Sequence, residues 1–252
     1  MAITLPRQKA KATQVSPAIS LIYGTPKVGK TKSLSELEDC LIIDLEKGTR
    51  RYDAMAIEAE SFEQLNEIIL SLHGESKAKG GAPVYKYIAV DTLDILEDIA
   101  KHKAAEFYKA TPMGKGWYAK NYKAPGVLLP GGETIDTLPN GAGYGYIREA
   151  MKWYIEILSR FCKYLILVAH MKDKRLPSAD GITEVIVKDI SLTGKLGSII
   201  AAQADAIGYM YRDTKGELLI SFKTSENAVM GSRCPHIAGQ VLPMDWTKIF
   251  VD

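Results

Sequence analysis

Apolar residues in this chain gather into short unbroken runs, separated by longer segments with helical spacing. Strand-like runs fall at about 18–23, 40–46, 85–91, 164–170, 184–191, 206–213 and 217–224. Helical patterns fill about 30–38, 61–73, 92–110, 144–162 and 195–204. Ser61 followed by Gln64 has capping-box spacing at the start of the second. The cores Leu41-Ile42-Ile43 and Leu165-Ile166-Leu167-Val168 are continuously apolar rather than alternating, as expected of parallel strands covered on both faces. Asp213-Thr214-Lys215-Gly216 reads as the turn of a hairpin joining two late antiparallel strands. The pattern predicts an α/β fold: a mostly parallel sheet with helices on both faces and a C-terminal β-hairpin. There is no internal repeat.

Two segments fall outside this rhythm. Residues 1–17 are polar, carry Arg7, Lys9 and Lys11 and no acid, and read as a flexible basic arm before a single domain over 18–252. Residues 111–143 are rich in Gly and Pro, and a connection this long inside a compact domain is usually functional or disordered. At 252 residues the chain can bury one large core. A net charge of +2 is too small to signal a polyanionic partner, so any such signal has to come from local clusters. No apolar run approaches a membrane span, and no secretion signal opens the chain. Cys40, Cys162 and Cys234 are spaced for neither zinc nor a disulfide framework, which points to a reducing, cytoplasmic setting.

The most specific motif is Gly24-Thr25-Pro26-Lys27-Val28-Gly29-Lys30-Thr31, directly after the apolar run Ile19–Tyr23 and followed by Lys32 in a helix-compatible stretch. It completes the phosphate-loop pattern GxxxxGK[ST]. Glycines at both ends let the backbone curl its N–H groups inward around phosphate oxygens, and the following helix adds its positive end. In that reading Lys30 reaches the β- and γ-phosphates of ATP, and the Thr31 hydroxyl holds Mg²⁺. A metal-holding acid is then required, and Tyr87-Ile88-Ala89-Val90-Asp91 supplies Asp91 at the end of a buried strand. Many ATPases place a Glu directly after this Asp to handle the attacking water, but here that position is Thr92. Glu46, at the end of Leu41–Leu45, is the alternative, because strand C-termini face the ligand crevice of an open α/β sheet. Its competing reading is a residue that caps a turn or pairs with Lys47 or Arg50. His170 closes the strand Tyr164–Ala169, where it is either a γ-phosphate sensor or an ordinary structural histidine.

Taken in order, these residues resemble the RecA-like recombinase ATPases, and most of all the short phage-encoded members associated with single-strand annealing. The likeness covers roughly 18–240 and runs through GTPKVGKT, Leu-Ile-Ile-Asp-Leu-Glu at 41–46, Tyr-Ile-Ala-Val-Asp at 87–91, the helix start near Gly143-Tyr144-Gly145, and Leu-Val-Ala-His at 167–170. The bacterial recombinase carries Gln where His170 stands, and its large C-terminal domain has no counterpart here. The resemblance implies that Glu46 activates water and that His170 couples nucleotide to a DNA-binding loop. It also implies a homo-oligomer, a filament or ring with ATP between protomers, in which a neighbour supplies a cation; Lys223 and Arg233 match by position. For the localisation it implies the cytoplasm of a bacterial host. Arg50 and Tyr52 are the positional candidates for adenine contact.

Two stretches fit a single-stranded DNA partner. Residues 101–125 hold six lysines and one acid among aromatic residues, and Lys115, Trp117, Tyr118, Lys120 and Lys123 are expected to contact DNA. Lys172, Lys174 and Arg175 follow His170 and are expected to do the same. A solvated helix end with the aromatics packed beneath it is the alternative. The implied activity is DNA-stimulated ATP hydrolysis controlling assembly on DNA during annealing or strand exchange, with a single-strand-binding protein as a further partner. A helicase-type motor core and a nucleotide-gated interaction protein with little turnover share the same motifs. No [NT]KxD base-reading motif follows the loop, which speaks against a GTPase, and Thr25 stands where partition-type ATPases place Lys.

Overall fold

The structure is a computed structural model that describes residues 5, 7–9, 11, 12, 14–115, 117, 122–124, 127, 128, 134–177, 184–225 and 227–252. Its strands are β1 (Ile19–Gly24), β2 (Cys40–Asp44), β3 (Ala56–Glu58), β4 (Tyr85–Asp91), β5 (Tyr122–Ala124), β6 (Val127–Leu128), β7 (Cys162–Pro177), β8 (Glu184–Ile190), β9 (Ala206–Arg212), β10 (Leu218–Ser221), β11 (Gly231–Ser232) and β12 (Val241–Pro243). The α-helices are α1 (Lys30–Ser35), α2 (Phe62–Ala78), α3 (Leu93–Ala110), α4 (Ala142–Ser159), α5 (Leu196–Gln203) and α6 (Trp246–Ile249). Ten strands join one sheet with the path β12-β10-β9-β1-β7-β4-β2-β3, to which β11 and β8 attach at β9 and β7. From β9 to β3 the pairing is parallel, while β10 and β12 run antiparallel beyond the predicted hairpin turn. β5 and β6 form a separate two-stranded pair.

Both faces of the sheet are covered, as the unbroken apolar runs require. On one face Leu65 and Ile69 of α2, Leu93 and Leu96 of α3, Met151 and Tyr154 of α4 and Ile200 of α5 pack onto Ile43, Ile88, Val90 and Leu167. On the other, Leu34 of α1 and the C-terminal Trp246, Ile249 and Phe250 pack onto Ile22, Ile42, Ala89 and Val168. Successive residues of a strand point to opposite faces, so each central strand feeds both cores. The capping prediction holds in part: Ser61 Oγ accepts from Gln64 N at 3.3 Å, but the Gln64 side chain reaches Glu60 N instead of the cap residue. Trp246 Nε1 donates to the Ser33 carbonyl at 2.7 Å, tying the C-terminal segment to the back of α1.

The differences from the sequence pattern lie at the edges. β3 was not expected; it is a three-residue edge strand with little apolar signal of its own. β7 does not stop at His170 but continues to Pro177, pairing antiparallel with β8 from Met171–Ile190 to Pro177–Glu184. This extension forms a ribbon beyond the helix-covered part of the sheet. Residues of the N-terminal arm that are described, such as Leu5 and Val15, are exposed, whereas Ser16 docks on the C-terminus through Asp252 and Val251. Among the described residues no helix is long and apolar enough to cross a membrane.

Candidate functional site

The carboxyl ends of β1, β2 and β4 finish side by side where β7 passes His170, with Gly24 opposite His170 and Asp44 opposite Asp91. The segments after β1, β2 and β4 therefore meet His170 at one rim. After β1, residues 24–29 turn back and α1 begins at Lys30. Gly24 cannot be replaced there, because a Cβ would lie 2.4 Å from the Met210 carbonyl oxygen of the neighbouring strand. Gly29 has φ 125°, a value that favours glycine, and Lys27 adopts φ 63°. Lys30 is buried, and its ammonium donates to the carbonyls of Gly24 and Thr25 at 3.2 and 3.1 Å, closing the curl. Burial pushes the Lys30 pKa down, and the nearby carboxylates of Asp91, Glu46 and Asp94 oppose that shift.

Thr31 Oγ1 donates to Asp91 Oδ2 at 2.6 Å across 60 residues of chain. Asp91 is 1 % exposed, and its Oδ1 has no hydrogen-bond partner. Burial raises its pKa to about 6, against the Thr31 hydrogen bond and with help from Glu46 and Asp44. A buried carboxylate oxygen without a donor, next to a hydroxyl, is a hard-oxygen site suited to Mg²⁺, so Thr31 and Asp91 fit the ion that phosphate loops employ. When bound, such an ion neutralises phosphate charge.

Glu46 lies two residues past β2. Its placement depends on Asp44, a residue that sequence reasoning did not single out. Asp44 Oδ1 accepts from Glu46 N and Gly48 N, and Oδ2 from Thr49 N and Oγ1, at 2.6 to 3.1 Å. Gly48 is thereby laid against Thr31, where a Cβ would touch the threonine at 3.4 Å. The competing partners of Glu46 are engaged elsewhere: Lys47 pairs with Glu60 and Arg50 with Glu58. Glu46 Oε1 instead accepts from Thr92 Oγ1 at 3.1 Å and lies 3.5 Å from His170 Nδ1. That same nitrogen is 3.2 Å from Asp94 Oδ2, in the first turn of α3. Lys27, Gly29, Lys30, Thr31, Glu46, Tyr52 and His170 line one cleft of about 250 Å³. A larger hollow of about 520 Å³ beside Glu36 and Trp246 also carries an ammonium, a hydroxyl and carboxylates (Lys86, Thr247, Glu38 and Asp245), but no residue of the phosphate loop lines it. Chemistry rather than size identifies the site.

Arg212, also missed in the sequence, donates to the Gly216 carbonyl at 2.7 Å and lays its guanidinium over Gly29, 3.6 Å from where a Cβ would stand. Nothing local in the sequence signals this, because the contact joins β9 to the phosphate loop. The other expected residues lie apart from the cleft. Lys223 is exposed just past β10. Arg233 is bound within its own chain, to the Ala202 carbonyl at 2.9 Å and Asp205 at 3.8 Å. Lys172 donates to the Leu192 carbonyl, Lys174 pairs with Asp189 at 3.7 Å and Arg175 with Glu184 at 3.5 Å, all on the β7–β8 ribbon. Lys115 is exposed, whereas Trp117 is partly buried edge-on against Tyr108, with centroids 5.2 Å apart. Lys123 lies on β5; Tyr118 and Lys120 fall outside the described residues. The three cysteines are buried and free, and burial lifts Cys40 and Cys162 to about 12, which leaves them unreactive thiols.

No curated protein matches the chain. A family model described as an AAA domain matches residues 16–234, from three residues before β1 to two residues past β11. With a match over most of its length and a complete phosphate loop facing Asp91, the chain belongs to the AAA_24 family of AAA domains, nucleotide-binding P-loop ATPases.

Proposed function

We propose that the chain is a Mg²⁺-dependent ATPase that binds single-stranded DNA as a homo-oligomeric filament or ring and promotes annealing or strand exchange, with hydrolysis releasing the assembly. The observation that supports this reading most is the continuity of β7. The strand passes His170 at the nucleotide cleft and runs without interruption into a ribbon carrying Lys172, Lys174 and Arg175. A change at the γ-phosphate has a direct mechanical route to those cations. Their acidic partners are no obstacle, since exposed pairs such as Arg175–Glu184 are worth at most about 1 kcal/mol and exchange readily for phosphate.

In this reading Glu46 accepts the proton of a water whose oxygen attacks the γ-phosphorus, while the bridging oxygen leaves with ADP. Lys30 spreads charge from the β- and γ-phosphates, and Thr31 with Asp91 holds the ion. Asp44 and Thr92 keep the Glu46 carboxylate in place. Lys223, exposed and without a role in its own site, is the better candidate for a cation given to a neighbour; Arg233 would first have to leave Asp205.

ATP turnover with and without single-stranded DNA, followed by electron microscopy of the ATP-bound mixture, tests the proposal. DNA should raise turnover, and assemblies should appear only with both ligands. Glu46→Ala should reduce turnover by about 10²- to 10⁴-fold while calorimetric ATP affinity stays within a few-fold. Turnover indifferent to DNA, or directional unwinding without annealing, would refute the recombinase reading.

A further inference from the structure

Glu46, Asp94 and His170 come from three separate elements: the loop after β2, the first turn of α3, and β7. One ligand atom from each lies within 4.8 Å of the other two. His170 Nδ1 stands at the centre, 3.2 Å from Asp94 Oδ2 and 3.5 Å from Glu46 Oε1. Those separations match the edges of a coordination polyhedron. With bonds of about 2.1 Å, ligand atoms sit about 3.0 Å apart in an octahedron and about 3.4 Å apart in a tetrahedron.

Two further observations favour a cation here. Asp94 Oδ1 is shut off from solvent and has no hydrogen-bond partner, so the carboxylate has unused acceptor capacity. Asp91, Glu46 and Asp94 all act on the Lys30 ammonium, so three carboxylates are gathered near the His170 imidazole. An imidazole with two carboxylates is a ligand set for a first-row divalent transition ion rather than for Mg²⁺, which prefers oxygen throughout.

We propose that Glu46, Asp94 and His170 form a second metal site, distinct from the Thr31–Asp91 pair, that takes Zn²⁺ or a similar transition ion and holds the ATPase inactive. Coordination fixes the Glu46 carboxylate and lowers its basicity toward the attacking water, and it anchors His170, so the strand to the ribbon is held too. The inhibitory effect rests on the role of Glu46 proposed above; the metal binding does not.

The test uses the full chain without nucleotide, in millimolar Mg²⁺. Co²⁺ is followed by its visible absorption and Zn²⁺ by calorimetry. One equivalent of each should bind, Asp94→Asn and His170→Ala should each weaken binding at least tenfold, and Thr31→Ala should leave the Zn²⁺ Kd within about twofold. Circular dichroism verifies that the variants are folded, and two independent ligand changes guard against one that is not. Zn²⁺ should then abolish ATP turnover at a concentration matching its Kd without displacing bound nucleotide. Absence of a cobalt spectrum, displacement by Mg²⁺, or equal binding by the two ligand variants overturns the site. Zn²⁺ binding with unchanged turnover overturns the inhibitory role alone. A chain that binds Zn²⁺ as expected yet never hydrolyses ATP overturns the proposed function and the inhibitory role together, and leaves the metal site standing.

Discussion

Asp44 is 1 % exposed, and each of its carboxylate oxygens accepts two hydrogen bonds from the segment that follows it. An amide at this position keeps one acceptor oxygen and turns a donor toward the remaining N–H groups. Asp44→Asn should therefore cost about 1–3 kcal/mol of stability. Single-turnover hydrolysis should fall by tenfold or more, with ATP affinity by calorimetry changing far less, because the phosphate loop itself is untouched. Equal losses in rate and affinity would show that Asp44 supports the whole cleft rather than Glu46. Residues of this kind were illegible in the sequence for a physical reason. The phosphate loop announces itself because backbone geometry demands glycine at fixed spacing, and Asp91 follows from a buried strand that ends in an acid. Asp44, Thr92, Asp94 and Arg212 acquire their roles from partners that only the folded chain brings close. The Lys-and-aromatic reading around residue 117 mixed two environments: Lys115 is exposed, while Trp117 packs against Tyr108.

At the level of elements, periodicity located the main helices and central strands, because an unbroken apolar run has few alternatives to a doubly covered parallel strand. It ended β7 seven residues early. Past His170 the strand leaves the helix-covered part of the sheet and the apolar run stops, although antiparallel pairing with β8 continues. The cations assigned to a loop thus stand on a regular two-stranded ribbon, which fixes their spacing. Replacing Lys172, Lys174 and Arg175 together by Ser should weaken single-stranded DNA binding. If all three neutralise phosphates, the slope of log affinity against log salt should become shallower by about 2. Titrations at several salt concentrations measure this, and an unchanged slope would remove the ribbon from the proposed DNA-contacting surface.

For the molecule as a whole, the cost of building the site appears in its pH dependence. The Asp91 carboxyl is raised in the fold to about 6, above its ordinary value of 3.8. Between those values the folded chain holds a proton that the unfolded chain has released, so stability from this group falls as pH rises through that window. The full difference is about 3 kcal/mol. Thermal unfolding between pH 4 and 6.5 should show this downward contribution, and Asp91→Asn should remove it. A cation bound between Thr31 and Asp91 favours the ionised form, so Mg²⁺ with ATP should recover stability most above pH 6. A wild-type and variant pair with parallel pH profiles would contradict this account.

The indole of Trp246 makes the end of the chain part of the grip on phosphate. Its N–H holds the Ser33 carbonyl, three residues beyond Lys30 and two beyond Thr31, and Ser33 N in turn donates to the Gly29 carbonyl of the loop. Trp246→Phe keeps an aromatic filler but deletes that donor, so nucleotide should dissociate faster although no phosphate ligand has changed, a difference that stopped-flow displacement would resolve. The segment around Trp246 thus lies as a splint behind the cradle, and loosening it should shorten the time ATP stays.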